Sequence, residues 1–137
     1  MSDKQTQEKP VILYSSKQEK AKPILAKMKK ATGAESYVFL TRDGVAVLDD
    51  TPEDTHVETA AIMYATMYGG SITAQSELRK KGPENIIVNG EDSSSLVTSV
   101  KTKYLLAVVL GKGKTFDSEI RKTISDAVTE LSDVILD

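Results

Sequence analysis

Neither cysteine nor tryptophan occurs in this 137-residue chain, and it holds two phenylalanines and one histidine. Without cysteine there is no disulfide framework and no thiolate chemistry. With so few large aromatic side chains, the core has to be aliphatic. Long apolar runs are missing too. The longest, Tyr104–Leu110, is far too short to span a bilayer. No signal peptide precedes the domain, so a cytoplasmic location and no membrane insertion are expected. Internal repeats and low-complexity segments are also absent. What remains is an ordinary soluble balance, 39% apolar and 28% charged, in a chain of one domain's length that can bury about two thirds of its unfolded surface.

The formal net charge of −2 conceals an asymmetry. Residues 1–30 hold eight lysines against three acids, a net of +5; the remainder holds ten basic residues against seventeen acids, a net of −7. A basic first helix suits nucleic acid or acidic lipid. Here it has no arginine and no interleaved aromatic residue, so the bland reading, a solvated helix face with no nucleic-acid partner, is preferred.

The chain is organised around its middle. Residues Pro52 to Gly82 read as one long helix. Thr51 is a candidate N-cap, Pro52 suits the first helical position, and Glu53 and Asp54 suit the positive end of the helix dipole. Gly82-Pro83 reads as the stop. Val57, Ala60, Ala61, Tyr64, Ala65, Tyr68 and Ile72 recur at spacings of three and four and mark an apolar stripe. Ile62, Met63 and Met67 fall outside it. A helix apolar on more than one side needs more than one surface to bury against. The small residues Ala60, Ala61, Ala65, Gly69 and Gly70 permit a second backbone to come close.

Around this helix the other elements follow from turn and cap signals. Residues 1–16 form an N-terminal extension, partly disordered, in which Val11–Tyr14 reads as an extra edge strand or an arm over a neighbour; residues 17–137 form the domain. Ser16 to Glu19 resembles a capping box. The helix after it places Ala21, Ile24, Leu25 and Met28 on one face and ends at Gly33. Pro23 argues for a later start, near Lys22. Ser36–Thr41 and Val45–Leu48 flank Arg42-Asp43-Gly44, a hairpin turn. Ile86–Val88, Leu96–Val100 and Tyr104–Leu110 are three more strands, the last in the middle of the sheet. A final helix starts near Asp117 and carries Ile120, Ile124, Ala127, Val128, Leu131, Val134 and Ile135 on one face. The links between neighbouring strands are too short for parallel crossovers. The expected fold is α/β of the α+β kind: a five-stranded antiparallel sheet with helices on both faces, in the order α-β-β-α-β-β-β-α.

Three features invite chemistry, and each has a simpler account. His56 beside Glu53, Asp54 and Glu58 is one histidine where metal sites recruit several ligands. Gly111-Lys112-Gly113-Lys114-Thr115 resembles a phosphate loop, but Val108 stands where the Walker pattern needs glycine. Asp49, Asp50, Glu53 and Asp54 are explained by the dipole of the helix they precede. No constellation carries catalysis, and no cofactor or metal is expected.

Taken in order, the hairpin Tyr37–Val47, the alanine-rich central helix, the segment Glu84–Asp92, the alternating strand after it and the long apolar strand resemble the roadblock/dynein light chain family. The resemblance covers about residues 20–135 and rests on the order and spacing of these elements. Val11–Tyr14 and Pro23 depart from it. It implies a small non-enzymatic fold related to longin domains, dimeric with itself or with a paralogue. In such dimers the central helices pack side by side and the third strands pair edge to edge. It implies the function of a scaffold or regulator of a small Ras-like GTPase, since one bacterial branch acts as a GTPase-activating protein. The alternative is a structural adaptor subunit of a larger assembly, light-chain-like, without a nucleotide-linked partner. On this reading Ala61, Ala65, Tyr68, Ile86, Ile87 and Val88 form the dimer interface. Glu58, Met63, Thr66, Met67 and Gln75 meet the partner.

Overall fold

A computed structural model describes residues 15–135 of the chain, with side chains from residue 17. The extension before α1, its apolar run Val11–Tyr14 and the Ser16 cap lie outside what is described.

The elements are α1 (Ser15–Thr32), β1 (Ser36–Thr41), β2 (Ala46–Asp50), α2 (Val57–Glu77), β3 (Asn85–Asn89), β4 (Ser93–Val100), β5 (Tyr104–Gly111) and α3 (Ser118–Val134). The five strands form one sheet in the order β2-β1-β5-β4-β3, every neighbouring pair antiparallel. The expected architecture therefore holds, with β5 at its centre. From Tyr104 to Val108 every residue of β5 is buried, because both faces of the strand are covered.

Period-two alternation divides the core in two. Tyr37, Phe39, Leu96, Val100, Leu106, Val108 and Leu110 face one side and meet Ala21, Leu25 and Met28 of α1 and Ile124, Ala127 and Leu131 of α3. The rings of Phe39 and Tyr104 stack there with centroids 5.4 Å apart. Val38, Leu40, Val97, Leu105 and Ala107 face the other side, where α2 alone covers them with Ala61 and Tyr68. Gly44 of the β1–β2 turn lets α2 come close. A methyl on Gly44 would stand 3.1 Å from the backbone of Ile62, and its φ of +96° lies where glycine alone is at ease.

The helix ends differ from the sequence expectation at three places. α1 begins at Ser15 and runs straight through Pro23. Pro23 is exposed, so the one carbonyl it leaves unpaired can turn to water, while Ala21, Leu25 and Met28 hold the helix to the core on the other side. α2 begins at Val57, five residues after Pro52, because the Thr51 hydroxyl donates to Asp49 at 2.6 Å and Pro52 to Thr55 close a turn of their own. α2 stops at Glu77, before Gly82: Arg79 turns left-handed at φ +59°, and the Lys80 and Arg79 amides donate to Gln75 and Ser76. Gly33 closes α1 in the same way, and Asp117 caps α3 by accepting from the Ile120 amide at 2.9 Å.

Candidate functional site

From Thr59 to Ser76, α2 carries no charged side chain. Such a stretch is expected of a helix buried on all sides, yet α2 has only one covered face. Ala61 and Tyr68 lie against the sheet, with Val57, Tyr64, Ala65 and Ile72 half-buried beside them. The opposite face holds Thr59, Ile62, Met63, Thr66, Gly69, Gly70, Thr73 and Ala74, all exposed. Ile62 and Met63 are 53% and 52% exposed, and Leu78, just past the helix, is 66% exposed. A Cβ built on Gly69 or Gly70 meets nothing within 4 Å. The two glycines weaken the helix and serve no close contact among the described residues.

The sheet is open beside this face. β3 pairs with β4 on one side, and its other side pairs with nothing among the described residues. Ile86 packs towards α2 and Ile87 towards the α1–α3 layer, both half-buried. Val88 stands 43% exposed. An apolar edge of this kind is a hazard unless covered.

The residues expected at the two interfaces fall into three groups. Ala61 and Tyr68 are fully occupied by the chain's own core; Tyr68 also donates its hydroxyl to the Pro83 carbonyl at 3.2 Å and lies under the Arg42 guanidinium. Ala65, Met67 and Gln75 sit half-buried at the helix flank, and the Gln75 amide donates to the Lys81 carbonyl at 3.2 Å. Glu58, Met63 and Thr66 point outward, Thr66 donating back to the Ile62 carbonyl at 2.8 Å. Leu78 belongs with the outward group and was not singled out from the sequence. Its signal was there, as a large apolar residue directly ahead of Arg79-Lys80-Lys81.

The three chemical candidates scatter. His56 is exposed at the N-cap of α2 and makes no capping bond. Asp50 pairs with Lys29 at 2.8 Å and Asp49 accepts from Thr51, and no group of three metal-ligating side chains converges among the described residues. In the glycine loop Lys114 donates to the Gly33 carbonyl at 3.1 Å, closing the C-terminal end of α1.

Neither a family model nor a curated protein matches the sequence. Solved structures match the fold. The gliding protein MglB of Thermus thermophilus superposes with a TM-score of 0.81 at 18% identity, over 93% of this chain and 96% of that one. An MglB in a tetrameric arrangement gives 0.82 at 18%, over the same shares. A Roadblock/LC7 domain of Streptomyces avermitilis gives 0.67 at 15%, over 73% of this chain and 83% of that one. Element order, sheet topology and the placement of one helix against two agree with these likenesses, and the chain has the roadblock fold.

Proposed function

We propose that the chain is a non-enzymatic dimeric scaffold or regulator of a small Ras-like GTPase. The observation that carries the first half is the uncharged outer face of α2 with Gly69 and Gly70 at its centre. It is contiguous with the open β3 edge, so a second copy related by a twofold axis covers both surfaces at once. Val88, Ile86 and Ile87 extend the sheet across the axis through backbone hydrogen bonds. Ala65 flanks the helical seam, with Ala61 and Tyr68 supporting it from below. A tetrameric MglB of the same fold is in keeping with self-association. Small residues on facing helices let the backbones approach closely and gain dispersion contact along their length.

The second half rests on the resemblance of the sequence to the roadblock family and on the residues the seam leaves over. Glu58, Met63, Thr66, Met67 and Gln75 border the paired helices. Methionine is polarisable and has several rotamers, which suits a surface that must fit a partner changing shape with its nucleotide. The competing assignment places Met63 and Met67 inside the seam.

Met63→Glu combined with Met67→Glu separates the two in one preparation. Binding is read by pull-down of GTP- and GDP-loaded partners from lysate, association by sedimentation. A retained dimer with lost nucleotide-dependent capture supports the docking role. A lost dimer puts the methionines in the seam. Capture that ignores the nucleotide favours the adaptor reading, and a wild-type chain that stays monomeric at micromolar concentration overturns the dimer.

A further inference from the structure

The open edge of β3 carries opposite charges at its two ends. The link into it holds Arg79, Lys80 and Lys81, all exposed. The turn out of it holds Glu91 and Asp92, also exposed. None of these side chains has an ion-pair partner among the described residues. Both segments are tied in place. The Lys80 amide donates to the Gln75 carbonyl at 2.8 Å, the Gln75 side chain to the Lys81 carbonyl at 3.2 Å and the Tyr68 hydroxyl to the Pro83 carbonyl at 3.2 Å. In the exit turn the Gly90 amide donates to the Ser93 carbonyl at 2.8 Å, and the Ser94 hydroxyl to the Asn89 side chain at 3.0 Å. β3 runs from Asn85 to Asn89, so its ends stand about 14 Å apart, beyond the screening length of about 8 Å at physiological salt. Entry and exit charges therefore do not neutralise each other within one chain.

The other charges nearby leave this polarity intact. Glu77 continues the outer face of α2 one turn beyond Gly70 and Thr73. Glu84 lines a groove against α3 that also holds Arg121 and Lys122. Lys101 and Lys103 of the β4–β5 turn add cations at the entry end. Lys112 shares a cleft with Asn89 and Gly90 but forms an ion pair with neither acid of the exit turn.

We propose that these charges make the β3 edge self-complementary, so that it selects a second copy of this chain, in antiparallel register, over a paralogue. This selection rests on the twofold dimer of the proposed function and adds the residues that set its specificity. A twofold axis through the middle of β3 lays the entry link of one copy beside the exit turn of the other, and does so twice. Lys80 and Lys81 then meet Glu91 and Asp92 at both junctions. A parallel alignment sets lysine beside lysine and acid beside acid, and a foreign strand has to carry the same polarity to fit. Exposed ion pairs add little affinity, whereas like charges in their place are strongly unfavourable, so the gain lies in register and choice of partner.

Two variants of the full chain are compared by sedimentation in low and high salt. Lys80→Glu with Lys81→Glu makes both ends of the edge acidic, and Glu91→Lys with Asp92→Lys makes both basic. Each alone should dimerise at least about tenfold more weakly than the wild-type chain in low salt, with thermal unfolding of the protomer little changed. An equimolar mixture of the two should recover the dimer as a mixed pair, identified by native mass spectrometry, because both junctions are again of opposite sign. Lys20→Glu with Lys22→Glu, the same charge change at exposed positions of α1, should dimerise like the wild type. Wild-type affinity in either edge variant overturns the proposal. So does a mixture that stays monomeric, or an equal rescue when the α1 variant replaces the Lys80 and Lys81 variant. In each of those cases the wild-type dimer stands, whereas a monomeric wild-type chain removes the dimer itself and this selection with it.

Discussion

Replacing Gly69 and Gly70 together by alanine tests the α2 surface more sharply than any apolar truncation, because the two sides of the argument predict opposite signs. Glycine in a helix interior costs about 0.8–1.0 kcal/mol relative to alanine, through the backbone entropy it loses on folding. Neither position has a positive φ, and neither Cβ would meet an atom within 4 Å. Within one protomer nothing opposes the change, so the double variant should be more stable by about 2 kcal/mol. For a chain of this length that raises the unfolding midpoint by about 6–10 °C. Across a helix–helix seam the same methyls force two backbones apart, and the association constant should fall about tenfold or more, as loss of about 1.4 kcal/mol requires. Thermal unfolding at low protein concentration reads the first effect, and sedimentation equilibrium over a concentration series reads the second. Stabilisation with an unchanged dimer would remove the glycines from the seam. No stabilisation of the protomer would mean that this face of α2 is already covered, and the account of both glycines would fail.

Leu106 is fully buried at the centre of β5, so Leu106→Ala should cost about 2–5 kcal/mol in urea unfolding, and the amides of β5 should be among the slowest to exchange. Arg79→Gly should stabilise the chain by about 1 kcal/mol, since Arg79 closes α2 at φ +59° where glycine carries no steric penalty. Burial, and then the charges of Asp50 and Asp49, hold the Tyr37 hydroxyl above its usual titration range. Between the unfolded value near 10 and the raised folded value the native state keeps a proton that the unfolded state has lost, so this contribution to stability is intact below about pH 10 and declines above it. Tyr37→Phe should flatten that alkaline decline in pH-dependent unfolding. The purified chain should not turn over GTP or ATP above buffer, with Lys114 engaged on Gly33; turnover abolished by Lys114→Ala would refute this.

Much of the fold is legible in the sequence because its signals are local and strong. Asp43-Gly44 fixes the first hairpin, Gly33 and Asp117 fix two helix ends, and the unbroken apolar runs Tyr37–Leu40 and Tyr104–Leu110 mark strands covered on both faces. The α2 boundaries are less legible for a physical reason. Thr51, Pro52, Glu53 and Asp54 are good start residues, but the same residues also make a turn, and the chain closes that turn before the helix begins. At the other end the stop is an arginine in a left-handed conformation, which nothing in the local sequence announces. Pro23 misleads in the opposite sense, because the packing of Leu25 and Met28 outweighs one lost hydrogen bond at an exposed position.

The candidate surface is harder to read than the fold because α2 is apolar all round, and sequence alone does not separate burial within a protomer from burial between protomers. Size makes the separation once the geometry is known. Beneath α2, Gly44 comes close to the backbone of Ala61 and Ile62, and Ala61 shares an apolar cluster with Ala107, Val38, Leu40, Val97 and Leu105. On the far side Gly69, Gly70, Thr73 and Ala74 form a second small-residue face with nothing set against it among the described residues. One face explains itself by the contact it makes. The other costs the helix as much and has no contact to offset it among the described residues, which the proposed twofold dimer would account for. Ala61 and Tyr68 are thereby assigned to the first face and Ile62 and Met63 to the second, a division that period and spacing alone leave open.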